Sequence, residues 1–370
     1  GQNRAEEINY QPASSRGGEN YGWNNMEGLG CYPPQANCNP RQFTLPILEY
    51  TRDLGISVTG GSVYRGRRFP ALHGIYLYAD YGSGNIWGVK RTCNGWENRL
   101  LLQSGRIIST FGEDEEGELY VADHSGGEIL LINATPDPIS AACGVNAASF
   151  EPGISPGSIV TVFGGGISSA PGMAEAGIVP LPSEIAGTSV TVNGQRVPLF
   201  GVASVNGQEQ VSFQAPFELP ATGSVSVAVH SGNRSTAPVD VPVRAAQPGV
   251  FVVGDGYGAI LDSAWQLVDG RNPVEKGRTV SIYATGLGPV TNLPKPGVPA
   301  SGEQFSLTQQ MPRVTIGGAD APVVFSGLAP GFVGLYQINV TVPANVPPGD
   351  LDLVVTTGGV SSPAVKIAVR

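Results

Sequence analysis

Hydrophobic residues recur along this chain with a period of two. The stretches SIVTVF at 158–163, SVSVAV at 224–229, TVSIYA at 279–284, LDLVV at 351–355 and VKIAV at 365–369 alternate or run apolar and are rich in Val, Ile and Thr. Gly, Pro, Asn and Ser interrupt them about every 8 to 12 residues, which is turn punctuation rather than helix capping. No window sustains a helical period. The pattern predicts short strands from end to end.

The second half states one strand pattern twice. VTVNGQRVPLFGVASVNGQEQVSFQAP (190–216) is answered by VTIGGADAPVVFSGLAPGFVGLYQINVTVP (314–343). Each copy opens on a β-branched strand, turns at Asn193-Gly194 or Gly317-Gly318, passes Pro198 or Pro322, and returns on a strand carrying Gln210 or Gln337. The echo extends outward, from PGSIVTVFGGGIS to KGRTVSIYATGLG and from TGSVSVAVHSGNRSTAPVDVPVR to PGDLDLVVTTGGVSSPAVKIAVR. Two copies of one unit, each about 100 residues with about seven strands, predict tandem sandwiches of immunoglobulin-like type at 135–245 and 246–370.

Residues 1–134 read differently. Strand candidates EEINYQ, TLPILEY, SVTGGSVYRG, GIYLYADYG, NIWGVKR, NRLLLQ, ELYVADHS and EILLINA follow one another on short connections, with Glu116-Gly117 as a hairpin turn. That spacing suits four-stranded propeller blades. About two blades fit, with ATPDPIS (134–140) as the linker. The expected fold is all-β: a partial β-propeller, then two Ig-like sandwiches.

Composition narrows the function classes. With 14% charged residues, a net charge of -9 and pI near 4.9, the chain has no basic run to offer nucleic acid or an anionic membrane. No apolar stretch approaches a bilayer span. The first residue is Gly1 rather than Met, so removal of a preceding segment is expected. Cys31 and Cys38 flank CYPPQANC without a further ligand at metal spacing, and Cys93 and Cys143 complete the four. Two disulfides and an extracellular or cell-surface setting are expected, with Cys31–Cys38 one pair and Cys93–Cys143 the other.

The segments GQNRAEEIN, GGENYGWNNMEG, SVTGGSVYRG, GIYLYADYGSGNIWGV and FGEDEEGELYVAD resemble the C-terminal third of secreted glucose/sorbosone dehydrogenase-like propellers. That family is six-bladed and includes sugar dehydrogenases using pyrroloquinoline quinone (PQQ) and calcium. From GVNAASFEPGISPGSIVTVFG onward, including APGFVGLYQINVTVP, the chain resembles an uncharacterised C-terminal module of secreted acidobacterial proteins. The first resemblance implies propeller ancestry. It does not carry the chemistry across, because the family's catalytic His lies in an earlier blade. Where later blades supply an aromatic-Pro-Thr segment, a Lys and an Arg pair to the quinone, this chain reads LGISVTGG, ADYGSGN and GRIIST. Arg106 alone survives.

The remaining constellations are weak. Asp123-His124-Ser125 has triad residue types but reads as a polar turn, since neighbours in sequence do not converge as a triad requires. No residue is assigned a catalytic role. Glu113 and Asp114, within the run to Glu118, and Asp80 with Asn85 are calcium candidates; for the acidic run a solvated hairpin tip is the preferred reading. Tyr21 and Trp23, with Trp87 and Trp96, offer flat faces for a sugar, against a preferred reading as core aromatics. The glycines at 164–166 and 254–258 read as turns, and Asn133, Asn233 and Asn339 begin glycosylation-type tripeptides. The expected role is a bacterial surface protein, structural or adhesive, whose exposed sheet edges pair with other chains in an assembly or filament. The alternatives are the C-terminal portion of a PQQ-dependent sugar dehydrogenase, and a carbohydrate-binding module.

Overall fold

A computed structural model describes the chain except residues 12–14, 16, 34–36, 70–71, 94, 135–139, 169, 171, 206–207 and 221, and gives 140–142 as backbone only. Most of the expected linker at 134–140 and the centre of CYPPQANC therefore lie outside the described residues. Among those described there is no α-helix, and no helix long and apolar enough to cross a membrane. The chain forms two compact units, Gly1–Asp137 and Pro138–Arg370.

In the first unit Val58–Val63, Tyr76–Asp80, Asn85–Thr92 and Gly95–Gln103 form a four-stranded antiparallel meander. Ile108–Glu113, Leu119–Asp123 and Glu128–Leu131 form a three-stranded one. Two-stranded pairings join Ala5–Ile8 to Leu48–Thr51 and Met26–Glu27 to Gly30–Cys31. Large rings fill the interior: Trp87 stacks on Tyr50 at 5.1 Å and on Tyr78 at 5.2 Å, and Tyr78 on Tyr76 at 6.1 Å.

The two meanders share one turn. Asp80 and Asp123 each end a second strand, and each carbonyl accepts an N–H from a left-handed glycine, Gly84 at 3.0 Å and Gly127 at 2.9 Å. Tyr81 and His124 then donate to Ser57 and Ile107, the residues before each first strand, both at 2.8 Å. Equivalent aspartates stand 43 positions apart by subtraction, 123 minus 80.

The second unit contains the repeat. In its first half the sheet order runs 140–146, Ile159–Gly165, Gln208–Gln214, Leu199–Val205, Gly172–Glu175, facing Gln195–Arg196, Thr188–Val192, Ser224–Ser231 and Val239–Pro242. In the second half Gly249–Val250, Thr279–Thr285, Tyr336–Thr341 and Val323–Leu328 take the first sheet's places. Ala319–Ala321, Arg313–Ile316, Gly349–Thr357 and Val365–Val369 take the second's. One core lies between the latter two sheets, with Ile282, Ile338 and Val340 from one and Ile316, Leu353 and Ile367 from the other. It is a β-sandwich by construction: alternate residues of each strand point inward.

Details recur between the halves. Asn193 and Gly194 have φ of 48° and 80°, Gly317 and Gly318 of 55° and 81°, the two positive values that a tight hairpin requires. The register slips at Leu199/Gly201 and again at Val323/Phe325, each just after the repeated proline. Thr236 and Ser362 accept from Val229 N and Val355 N, both at 3.1 Å.

Candidate functional site

Among the described residues the buried carboxylates, Glu6, Glu27, Asp80, Glu118 and Asp123, all belong to the first unit, and the buried polar residues of the second are hydroxyls and amides. Burying a carboxylate is expensive unless donors surround it, and here they do. Asp80, fully buried, accepts at Oδ2 from Tyr50 OH (2.8 Å) and Ser57 N (2.7 Å), and at Oδ1 from Gly82 N (2.9 Å) and Ser83 N (2.8 Å). Gly55 makes the cradle, since a Cβ there would stand 2.4 Å from the carboxylate carbon. Burial acts to raise the Asp80 carboxyl, and the N–H donors of Ser83 and Ser57 with the Tyr50 hydroxyl outweigh it, holding it below the usual range. Burial, joined by the same contact, pushes the Tyr50 phenol up.

Calcium does not fit this site. Both Asp80 oxygens are committed to protons, and Asn85 turns its Nδ2 to Leu54 O at 3.0 Å, so of the pair only the Asn85 Oδ1 is left to face a cation, far short of a calcium shell. Asp114 organises its own hairpin instead, accepting from Glu116 N, Glu118 N and Tyr120 OH at 3.1, 2.8 and 2.9 Å. Glu113, the other candidate, is exposed. Among the described residues no three His, Cys, Asp or Glu side chains gather as a metal group. The solvated-tip reading needs one correction. Glu118 is only 3% exposed and accepts from Tyr64 OH at 2.8 Å and from Arg67 N and Arg68 N at 3.1 Å. Gly66 leaves it room, with a Cβ position 2.5 Å from Glu118 Oε1.

Asp123-His124-Ser125 is a turn. Ser125 donates through N and Oγ to Asp123 Oδ1 at 3.0 and 2.8 Å, and Arg106 donates to Asp123 Oδ2 at 2.8 Å. The Ser125 hydroxyl and the Arg106 guanidinium hold the Asp123 carboxyl down to about 2. Arg106 also pairs with Glu128 at 2.6 Å, so its guanidinium is occupied by two carboxylates of its own sheet. A quinone finds neither the Trp, the Lys nor a free Arg here, and the residues do not fit it.

The aromatic candidates separate. Trp87 is core, and Trp96 packs on Tyr10 at 4.8 Å. Trp23, expected inside, is 72% exposed; Tyr21 beside it is half-buried. The left-handed Gly22 (φ 91°) and the Gly22 O contacts from Asn25 N and Met26 N close a tight turn, and Trp23 stands on its exposed side. Cys31 is bonded to Cys38, Cys93 and Cys143 are also in disulfide form, and no described cysteine is free. Gly254–Gly256 is a short 3-10 turn, and 164–166 ends a strand. Asn233 lies exposed in a hairpin turn, Asn339 is in a strand, and the tripeptide at Asn133 runs outside the described residues.

The chief feature missed by the sequence reading is the seam inside the second unit. Ile159 N donates to Thr285 Oγ1 at 2.9 Å, Gly297 N to Gln214 Oε1 at 2.7 Å, Leu181 N to Gly297 O at 2.8 Å, and Asn146 Nδ2 to Gln247 O at 2.7 Å. Tyr336, fully buried, donates to Gly288 O of its own sandwich at 2.5 Å and reaches Pro156 O of the first at 3.5 Å. Phe217 of the first sandwich packs into the core of the second.

No family model matches the chain. It is similar to the HIPL1 protein of Arabidopsis thaliana, 28% identical over 162 residues, which covers 34% of this chain and 22% of that protein. The chain thus spans about a fifth of that relative. Solved structures with some likeness include SGBP-B of the Bacteroides ovatus mixed-linkage glucan utilization locus, in complex with a mixed-linkage heptasaccharide (14% identity, 68% of this chain, 53% of that one, TM-score 0.28). Others are the tandem Ig repeats of Dlar (12%, 63% and 98%, TM-score 0.18) and the Escherichia coli adhesin FdeC (12%, 85% and 96%, TM-score 0.18). At such scores these likenesses carry no argument.

Proposed function

We propose that this chain is a secreted or cell-surface structural protein, in which a stiff pair of Ig-like sandwiches supports a propeller-derived unit that docks to other chains. The seam carries this reading. Flexible tandem modules are joined by solvated linkers, whereas Gln247 in the connecting segment is buried and held by Asn146 Nδ2 and by its own N–H to Gly286 O at 2.8 Å. A bend between the sandwiches would break these bonds and expose Phe217, so the pair acts as a spacer of fixed shape. Fully oxidised cysteines support an extracytoplasmic setting. The turn repeated after 43 residues supports consecutive blades, a spacing within the range of propeller repeats.

Docking is assigned to the edge strand Gly95–Gln103, which pairs on one side only and exposes Leu100, Leu101 and Leu102. An extended segment of another chain can add there. Hydrogen exchange on the intact chain tests the spacer: the amides of Ile159, Gln247 and Gly297 should be protected as well as those of the sandwich cores. Exchange at loop rates would refute it. Sedimentation over a wide concentration range tests the edge, with Leu101→Lys as comparison; a monomer throughout, for both proteins, would exclude self-association there.

A further inference from the structure

The inner faces of the sandwich strands are filled with Val and Ile, and the alternation turns the other residues outward, where Thr161, Gln214 and Thr285 are buried toward the seam and Phe163 and Tyr283 are half-buried. In the second sandwich Ser281 and Tyr283 share that outer face with Gln337 and Asn339, Tyr283 lying directly across from Gln337 and Ser281 from Asn339. In the first, Phe163 lies across from Gln210 and Thr161 from Ser212. An aromatic-glutamine pair thus stands at equivalent places in both copies, beside a Ser-Asn pair in one and a Thr-Ser pair in the other. Two halves that have diverged at most surface positions agree here, on a face the core does not require.

Part of this face is spent on itself: Gln337 Nε2 donates to Asn339 Oδ1 at 2.8 Å and to Ser281 Oγ at 3.5 Å, and the Thr161 and Ser212 hydroxyls bond each other at 2.9 Å. Gln337 Oε1, Asn339 Nδ2, the Tyr283 hydroxyl and the whole Gln210 amide have no protein partner among the described residues. A ring edge or face flanked by free amide donors and acceptors, without a charge on either central strand's outer positions, suits a neutral polyol. A charged ligand would find no counter-charge. A purely apolar partner would leave the amides buried and unpaired, which is costly.

We infer that the outer face of this sheet, in both sandwiches, is a duplicated binding site for a neutral glycan chain. The inference rests on the surface-protein reading above and names what that surface holds. The sugar's C–H face lies on Tyr283 or Phe163, and its hydroxyls bond the amides of Gln337 and Asn339 or of Gln210. Because the seam fixes the spacing of the two faces, a polymer long enough to reach both binds with the gain of a linked pair, and a short oligosaccharide does not.

The test is affinity electrophoresis of the intact chain through gels containing mixed-linkage β-glucan, xylan or galactomannan, with anionic alginate as control. Retardation by at least one neutral polymer, and not by alginate, is expected. Gln337→Ala and Gln210→Ala should each weaken it several-fold, and Tyr283→Thr, which keeps a strand-favouring residue, by about tenfold. Near-ultraviolet circular dichroism confirms that each variant is folded. Three outcomes would overturn the inference: no retardation by any neutral polymer, retardation by alginate alone, or retardation that survives all three substitutions. If the substitutions instead alter sedimentation, the faces are protein contacts and the glycan site is wrong. Protection of the seam amides is measured separately, so failure here leaves the spacer reading standing.

Discussion

Replacing Asp80 by Asn should unfold the first unit at much lower denaturant. Four donors converge on the two carboxylate oxygens, two on each, at 2.7 to 2.9 Å. Asparagine offers one oxygen and one NH2 group. Whichever way the amide turns, two donors keep an acceptor and two face another donor in a site without solvent. Each bond lost to an ionised acceptor is worth about 1.5–3 kcal/mol, so the loss is about 3–6 kcal/mol. That is a large share of the roughly 5–15 kcal/mol that holds a domain together. Tyr50→Phe removes one of the four bonds and should cost about 1.5–3 kcal/mol. Tryptophan emission during urea unfolding of the intact chain reads this selectively. Trp87 is 4% exposed and stacks on Tyr50, whereas Trp265, in the second unit, is 66% exposed before unfolding. A midpoint for Asp80→Asn within about 0.5 kcal/mol of the parent, the spread of neutral surface changes, would refute the reasoning. So would a parent whose midpoint rises with millimolar calcium while the variant's does not.

Other outcomes follow from the same contacts. Asp80 has a depressed folded pKa, so its contribution is complete above the unfolded value of about 3.9 and is lost as pH falls through the folded one. The first-unit midpoint should drop as pH falls below about 4, and Asp80→Asn should flatten that dependence; equal slopes would count against it. Gly286 has φ 78° and its Cβ position lies 2.1 Å from Gln247 O, so Gly286→Ala should destabilise the seam by about 2 kcal/mol and speed exchange at Gln247 N. Phe217→Ala should cost about 3–5 kcal/mol as a core cavity. Calorimetry should show both sandwiches melting together in the parent; two separate transitions would mean Phe217 does not couple them.

The tandem repeat was legible because entire strands recur, with Asn193-Gly194 and Gly317-Gly318 marking the same hairpin. Period-two alternation marked the strands SIVTVF, SVSVAV and TVSIYA, and the hairpin turn read at Glu116-Gly117 is present, with Gly117 left-handed. The buried carboxylates were not legible. An acidic run looks solvated until Gly66 is known to clear a place for Glu118, and nothing local links Gly55 to Asp80. Trp23 misled in the opposite sense, since an indole is expected inside and this one stands on the exposed side of the turn at Gly22. The seam was hidden because its partners, such as Gln214 and Gly297, are far apart in sequence and individually ordinary.

Phe217 also decides what can be inherited as a piece. A genetic break at 245 would hand one descendant a ring with no core around it and leave the other with a hole in its middle. Separating the sandwiches would therefore cost each of them part of its packing, and the doublet is the unit that keeps this core whole.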